Sequence, residues 1–131
     1  MDEEALVGLF RSRLDGLLAV YAFGSRVQGT ADEGSDLDLA VLVKGYVDPL
    51  VLWEIASEAA DIAGCPVDLL DLRRASTVMQ QQVLVKGEHW WVAEGPEAGL
   101  FECAVLSEKL ELDRARAPLL RDIERDGRVY G

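Results

Sequence analysis

Residues 24–43 read GSRVQGTADEGSDLDLAVLV, from Gly24 to Val43. A small-residue turn, Gly24-Ser25, is followed after ten residues by Asp36-Leu37-Asp38 at the head of an apolar run. Alternate residues of a strand point to the same face, so Asp36 and Asp38 can converge on one place. Two carboxylates held together repel unless a proton or a cation lies between them. At neutral pH the fitting cation is a hard, oxygen-seeking one such as Mg2+. A glycine-serine turn beside such an ion is a place to hold a triphosphate.

Working outward, the flanking sequence predicts the elements around this stretch. Leu6, Leu9, Phe10 and Leu14 recur at helical spacing, with Asp2 as a cap, Glu3 and Glu4 in the first turn, and Gly16 as the end. Leu17 to Phe23 is a continuous apolar run, as a strand covered on both faces would be. Ser25 to Gly29 can form a short helical turn, residues 30–35 a loop, and Asp36 to Lys44 a second strand. Asp48-Pro49 opens a helix whose inner face is Leu52, Ile55, Ala56, Ala59, Ile62 and Ala63, and Gly64 closes it. Pro66 to Leu72 reads as a third strand, Ser76 to about Lys86 as a helix, and His89 to Ala93 as a short strand beyond Gly87. Pro96 starts a final helical region with Leu100, Val105, Leu106, Leu110 and Leu112 as apolar anchors, kinked or split at Pro118, and the tail from Asp126 looks loose. The fold class is therefore α/β (α+β), a small mixed β-sheet covered by helices.

The 131 residues suffice for one compact domain, and half of them are hydrophobic, so a core is available. With 13 Lys+Arg against 24 Asp+Glu the net charge is -11, which argues against gripping nucleic acid by its phosphates. Cys65 and Cys103 lack metal-ligand spacing and sit in apolar runs, where small buried thiols are expected. The acidic N-terminal stretch does not read as a signal peptide, and no apolar run approaches the roughly 18 residues of a membrane span. A soluble cytoplasmic protein with no membrane contact is the expectation.

A third carboxylate comes from the third strand. Asp68 and Asp71 are three apart and so face opposite sides of it. If that strand pairs with the Asp36/Asp38 strand, one of them joins the cluster. Asp68 is favoured, because an acid set centrally between apolar neighbours needs a reason. Asp71 lies near the strand end beside Arg73 and Arg74, can simply pair with them, and stays open as the rival. Taken alone, Asp36-x-Asp38 could be an acidic loop ending at a strand; Gly24-Ser25 and the later acid weigh against that.

Gly-Ser, a spacer, Asp-x-Asp and a later strand Asp, here Gly24, Ser25, Asp36, Asp38 and Asp68, resemble the minimal nucleotidyltransferases of the DNA polymerase beta superfamily. The wording of residues 35–41 and 67–72 and the approach to Lys86-Gly87 extend the likeness. It covers about residues 15–95 well and the C-terminal helical region, 96–126, more loosely. The resemblance implies a polymerase-beta-like fold in a single domain, 1–131. It implies that Gly24 and Ser25 hold the triphosphate of ATP, and that Asp36, Asp38 and Asp68 are catalytic and bind Mg2+, two ions in all. Asp68 would also help deprotonate the attacking hydroxyl. Arg26 and Lys44 are near enough in sequence to touch phosphates, though a solvated surface role fits equally.

Larger relatives attach a second domain that selects an acceptor, and this chain carries little beyond the catalytic unit. It thus resembles the antitoxin half of a type VII-like toxin–antitoxin module, whose partner is a small all-helical HEPN ribonuclease toxin. The resemblance implies transfer of AMP from ATP to a tyrosine hydroxyl of that partner. An acidic chain suits a partner with a basic, RNA-binding surface. A small-molecule nucleotidyltransferase, for instance one acting on an aminoglycoside, and a non-catalytic antitoxin that acts by binding are the alternatives. His89, the one histidine, shows no sequence partner. Of Trp90 and Trp91, strand alternation puts one in the core and the other at the surface or an interface, with base stacking a lesser option. A homodimer or a heteromer is compatible with these aromatics and with the last helical region.

Overall fold

A computed structural model describes residues 3–24 and 36–108. Helix α1 (Glu3–Arg13) leads into strand β1 (Leu17–Phe23), and β2 (Leu37–Val43) precedes helix α2 (Pro49–Ala63). Strand β3 (Val67–Asp71) runs into a 3-10 turn (Leu72–Arg74), then come helix α3 (Thr77–Lys86) and strand β4 (Glu88–Val92). A last helix, α4, is described over residues 97–108. The order of elements is the one expected. Asp2, Ser25–Ser35, Leu110, Leu112, Pro118 and the tail lie outside the described residues.

Local chemistry explains the boundaries. Asp48 caps α2, its carboxylate accepting from the Leu50 N–H at 2.8 Å, with Pro49 in the first turn. Gly64 closes α2 in the left-handed region at φ 74°. Ser76 caps α3 by accepting from the Met79 N–H at 3.2 Å. The Leu100 N–H donates to the Pro96 carbonyl at 2.9 Å, where the final helix was expected to begin.

The sheet order is β3-β2-β1-β4, with β1 antiparallel to β2 and β4, and β2 parallel to β3 through the α2 crossover. The two central strands are buried on both faces, which accounts for their continuous apolar sequence. On one face Val20, Leu39, Val41 and Leu69 pack with Leu6 and Phe10 of α1 and Ile55 and Ala59 of α2. On the other, Leu18, Tyr21, Ala40 and Leu42 pack with Val83 of α3 and Ala98 of α4.

Several expected placements are corrected. Ile62 is 41% exposed; Ala63, one turn beyond Ala59, takes the inner position instead. In α4 the inner face is Ala98, Phe101 and Val105, while Leu100 and Leu106 are exposed. Cys103 is exposed and Cys65 only half-buried, because neighbours in each run occupy the inward positions. Trp90 and Trp91 do not split between core and surface. The β1–β4 register slips between Val20 and Tyr21, and this bulge lets both rings pack half-buried against the α1 side.

Candidate active site

The carboxylates gather where β1 ends and where β2 and β3 begin. Asp36 is exposed and immediately precedes β2. Asp38 stands in register with Phe23 of β1 on one side and with Asp68 of β3 on the other. The pleat turns Asp38 away from Leu37 and Leu39, which belong to the α1/α2 core, and onto the face of Ala40 and Leu42. Asp68 shares that face and is exposed. A backbone hydrogen bond from the Leu37 N–H to the Pro66 carbonyl, 2.9 Å, fixes the start of the two parallel strands.

The electrostatics record this proximity. The Asp38 carboxyl is pushed above the usual carboxylate range, first by partial burial and then by the negative charges of Asp68 and Asp36. Such a trio calls for positive charge, and its donors are all hard carboxylate oxygens, the set that suits Mg2+. Among the described residues no three acids, histidines or cysteines are drawn together as a ready-made ion cage.

Gly24 lies against the same group. Its φ is 83°, and a Cβ there would come within 2.1 Å of Asp38 Oδ2. Glycine is required twice over, by backbone conformation and by the carboxylate that occupies the space a side chain would fill. Ser25 and Arg26 lie outside the described residues.

Asp71 is not part of this cluster. It is 3% exposed on the opposite face of β3 and holds the chain together. Its Oδ2 accepts from the Val47 N–H at 2.8 Å, its Oδ1 accepts from the Arg73 N–H at 3.2 Å, and Arg74 Nε stands 3.6 Å from Oδ2. Lys44 is also remote: its N–H donates to the Gly16 carbonyl at the far end of β2, about 20 Å of strand from the acids. That end-to-end separation rules out the phosphate contact that sequence proximity suggested.

A network not anticipated from sequence lies on the same sheet face, farther along β1. Tyr21 donates its hydroxyl to Glu102 Oε2 of α4 at 3.1 Å, and His89 Nε2 lies 3.0 Å from Glu102 Oε1. The Tyr21 and His89 rings are 5.0 Å apart. Burial, then the Glu102 charge, then that hydrogen bond hold the Tyr21 phenol protonated well above its ordinary range. Glu102 follows Tyr21 by 81 positions, so no local pattern could have joined them.

The chain as a whole is similar to known proteins. The family described as polymerase beta, nucleotidyltransferase is matched over residues 5–91. Protein adenylyltransferase MntA of Shewanella oneidensis (strain MR-1) is 35% identical over 123 residues, spanning 94% of this chain and 88% of that protein. A chain from the crystal structure of a toxin–antitoxin with AMP-PNP superposes with a TM-score of 0.78 at 35% identity, covering 95% of this chain and 99% of that one. A chain from the tri-AMPylated Shewanella oneidensis HEPN toxin in complex with MNT antitoxin gives a TM-score of 0.71 at 32% identity, covering 93% and 95%. With the fold and most of the matched span in agreement, this chain belongs to the polymerase beta nucleotidyltransferase family.

Proposed function

We propose that this protein is a Mg2+-dependent nucleotidyltransferase of the cytoplasm. In this reading a single minimal domain, 1–131, moves AMP from ATP onto a tyrosine hydroxyl of a HEPN-type toxin and so acts as its antitoxin. The observation that carries the reading is the in-register pair Asp38 and Asp68, with Asp36 beside it and Gly24 fitted against Asp38. The protein adenylyltransferase relative and the AMPylated toxin in a related complex supply the acceptor class. The AMP-PNP complex of another relative supports ATP as the donor.

The roles follow from the residues. The Gly24-Ser25 turn offers backbone N–H groups, and the Ser25 hydroxyl, to the triphosphate. Asp36, Asp38 and Asp68 would hold Mg2+; when bound, the metal supplies positive charge to the α-phosphate and the leaving pyrophosphate. The tyrosine oxygen attacks the α-phosphorus, the bond to the bridging α–β oxygen breaks, and pyrophosphate departs with that electron pair. Asp68, exposed at the edge of the cluster, takes the tyrosine proton as the new P–O bond forms.

The test is the intact mass of the neighbouring encoded protein, co-expressed with this chain or with Asp36→Asn/Asp38→Asn. The expected result is adenylate-sized increments with the native chain alone. An unmodified partner that co-purifies equally with both forms would overturn the reading in favour of neutralisation by binding. Chelating divalent ions in a reaction reconstituted from purified components should stop transfer by at least about 100-fold.

A further inference from the structure

Phe23 is the last residue of β1 and stands in register with Asp38, which stands in register with Asp68 on its other side. One row across three strands therefore runs Phe23, Asp38, Asp68, with the three side chains on one face of the sheet. Directly opposed residues of an antiparallel pair hold their Cβ atoms about 5 Å apart, so the aromatic side chain borders the acid. Neither the Gly-Ser turn nor the Asp-x-Asp spacing draws attention to this residue. Only the β1–β2 register does.

Side-chain placement agrees. A Cβ on Gly24, the next residue, would lie 2.1 Å from Asp38 Oδ2 and 3.2 Å from Asp38 Cβ, so the carboxylate leans on the end of β1. Phe23 is half-buried there and packs with the Tyr21, Ala40 and Val83 cluster. The end of α3 holds it from above, since a Cβ on Gly87 would come within 3.3 Å of Phe23 Cβ. Asp38 is itself half-buried, whereas Asp36 and Asp68 are exposed. Asp38 thus borders protein on its β1 flank and an exposed acid on its β3 flank. Attraction between a carboxylate and a divalent cation grows as the local dielectric falls. An apolar wall also limits the water that competes for the carboxylate, so a cation gains more on arrival.

We infer that Phe23 is a positioning residue of the carboxylate site: it walls the β1 flank of Asp38 from water and so tightens the hold of the acids on a divalent cation. The inference rests on the metal-dependent reading proposed above and deepens it. The experiment titrates Mn2+ alone, read by water-proton relaxation, into the native chain, Phe23→Leu, Phe23→Asn and Phe23→Ala. Asp36→Asn/Asp38→Asn reports Mn2+ held elsewhere on this acidic chain. The metal-free melting temperature of each form is measured alongside.

Phe23→Asn should weaken the Mn2+ binding that the double aspartate variant lacks by about tenfold or more. Phe23→Ala opens the same flank without adding an amide; it should show the same loss, and it serves where asparagine prevents folding. Phe23→Leu keeps the wall apolar and should stay within about threefold of the native affinity, although its melting temperature falls too. Asparagine and alanine variants that bind Mn2+ like the native chain would overturn the inference. So would equal weakening by all three variants, because Phe23 would then act through packing alone. A native chain that binds no more Mn2+ than the double aspartate variant would refute the metal site itself, and this inference with it. Native binding that survives the loss of Phe23 would refute the role of Phe23 and leave the metal site standing.

Discussion

Asp38, Asp68 and Asp71 are three strand aspartates put to different uses, and the differences are measurable. Asp71 is buried and accepts from two backbone N–H groups. Asp71→Ala leaves those donors unpaired and should lower stability by about 2–3 kcal/mol in urea unfolding. Asp68 is exposed, so Asp68→Asn should leave stability within about 0.5 kcal/mol while transfer falls by at least about 100-fold. Asp38 is the reverse case. Its carboxyl is held above the usual range, so its ionised form is disfavoured in the folded chain at neutral pH. Asp38→Asn should raise the metal-free melting temperature slightly, solvent screening keeping the gain small, even as transfer is lost. The Asp-x-Asp spacing made Asp36 and Asp38 legible as one cluster. Asp71 was not separable from Asp68 by sequence, because its decisive partner, the Val47 N–H, lies 24 positions away on another segment.

At the scale of elements, the close approach of backbone at corners sets the fold's tolerances. Gly87 ends α3 against β1: a Cβ there would meet the Val83 carbonyl oxygen at 2.5 Å and the Ala22 carbonyl oxygen at 2.8 Å. Gly87→Ala should therefore cost about 1–3 kcal/mol of stability, seen as a lower urea midpoint. Tyr21 of β1 and Glu102 of α4 tie strand to helix. The folded chain keeps the Tyr21 proton above the ordinary tyrosine pKa of about 10, whereas the unfolded chain loses it there. Stability should thus be intact below that pH and fall as pH rises beyond it, and Tyr21→Phe should flatten this decline. Helix starts and stops were legible because their signals are local: Asp48-Pro49, Gly64 and Ser76 act within one turn. The tryptophan bulge and the outward Leu100 were not, since partner register and the choice of buried helix face are settled by tertiary packing.

At the scale of the molecule, the sheet order brings chemistry from distant sequence to one end. Gly24, Asp38 and Asp68 come together because β2 lies between β1 and β3 in the observed registers. Sequence supplied the strands and the acids; the parallel β2–β3 pairing that aligns Asp38 with Asp68 had to be assumed until the fold gave it. The chain's overall net charge of -11 fits a protein acceptor better than a polynucleotide. The central claim is transfer of an adenylate to a protein, and position-specific labelling of ATP tests it most directly. Purified chain and acceptor are incubated with Mg2+ and ATP labelled at either the α- or the γ-phosphorus. The account predicts α-label on an acceptor tyrosine, release of all γ-label as pyrophosphate, and neither event with Asp36→Asn/Asp38→Asn. Retention of γ-label on the acceptor, or α-label equally incorporated by the double variant, would contradict it.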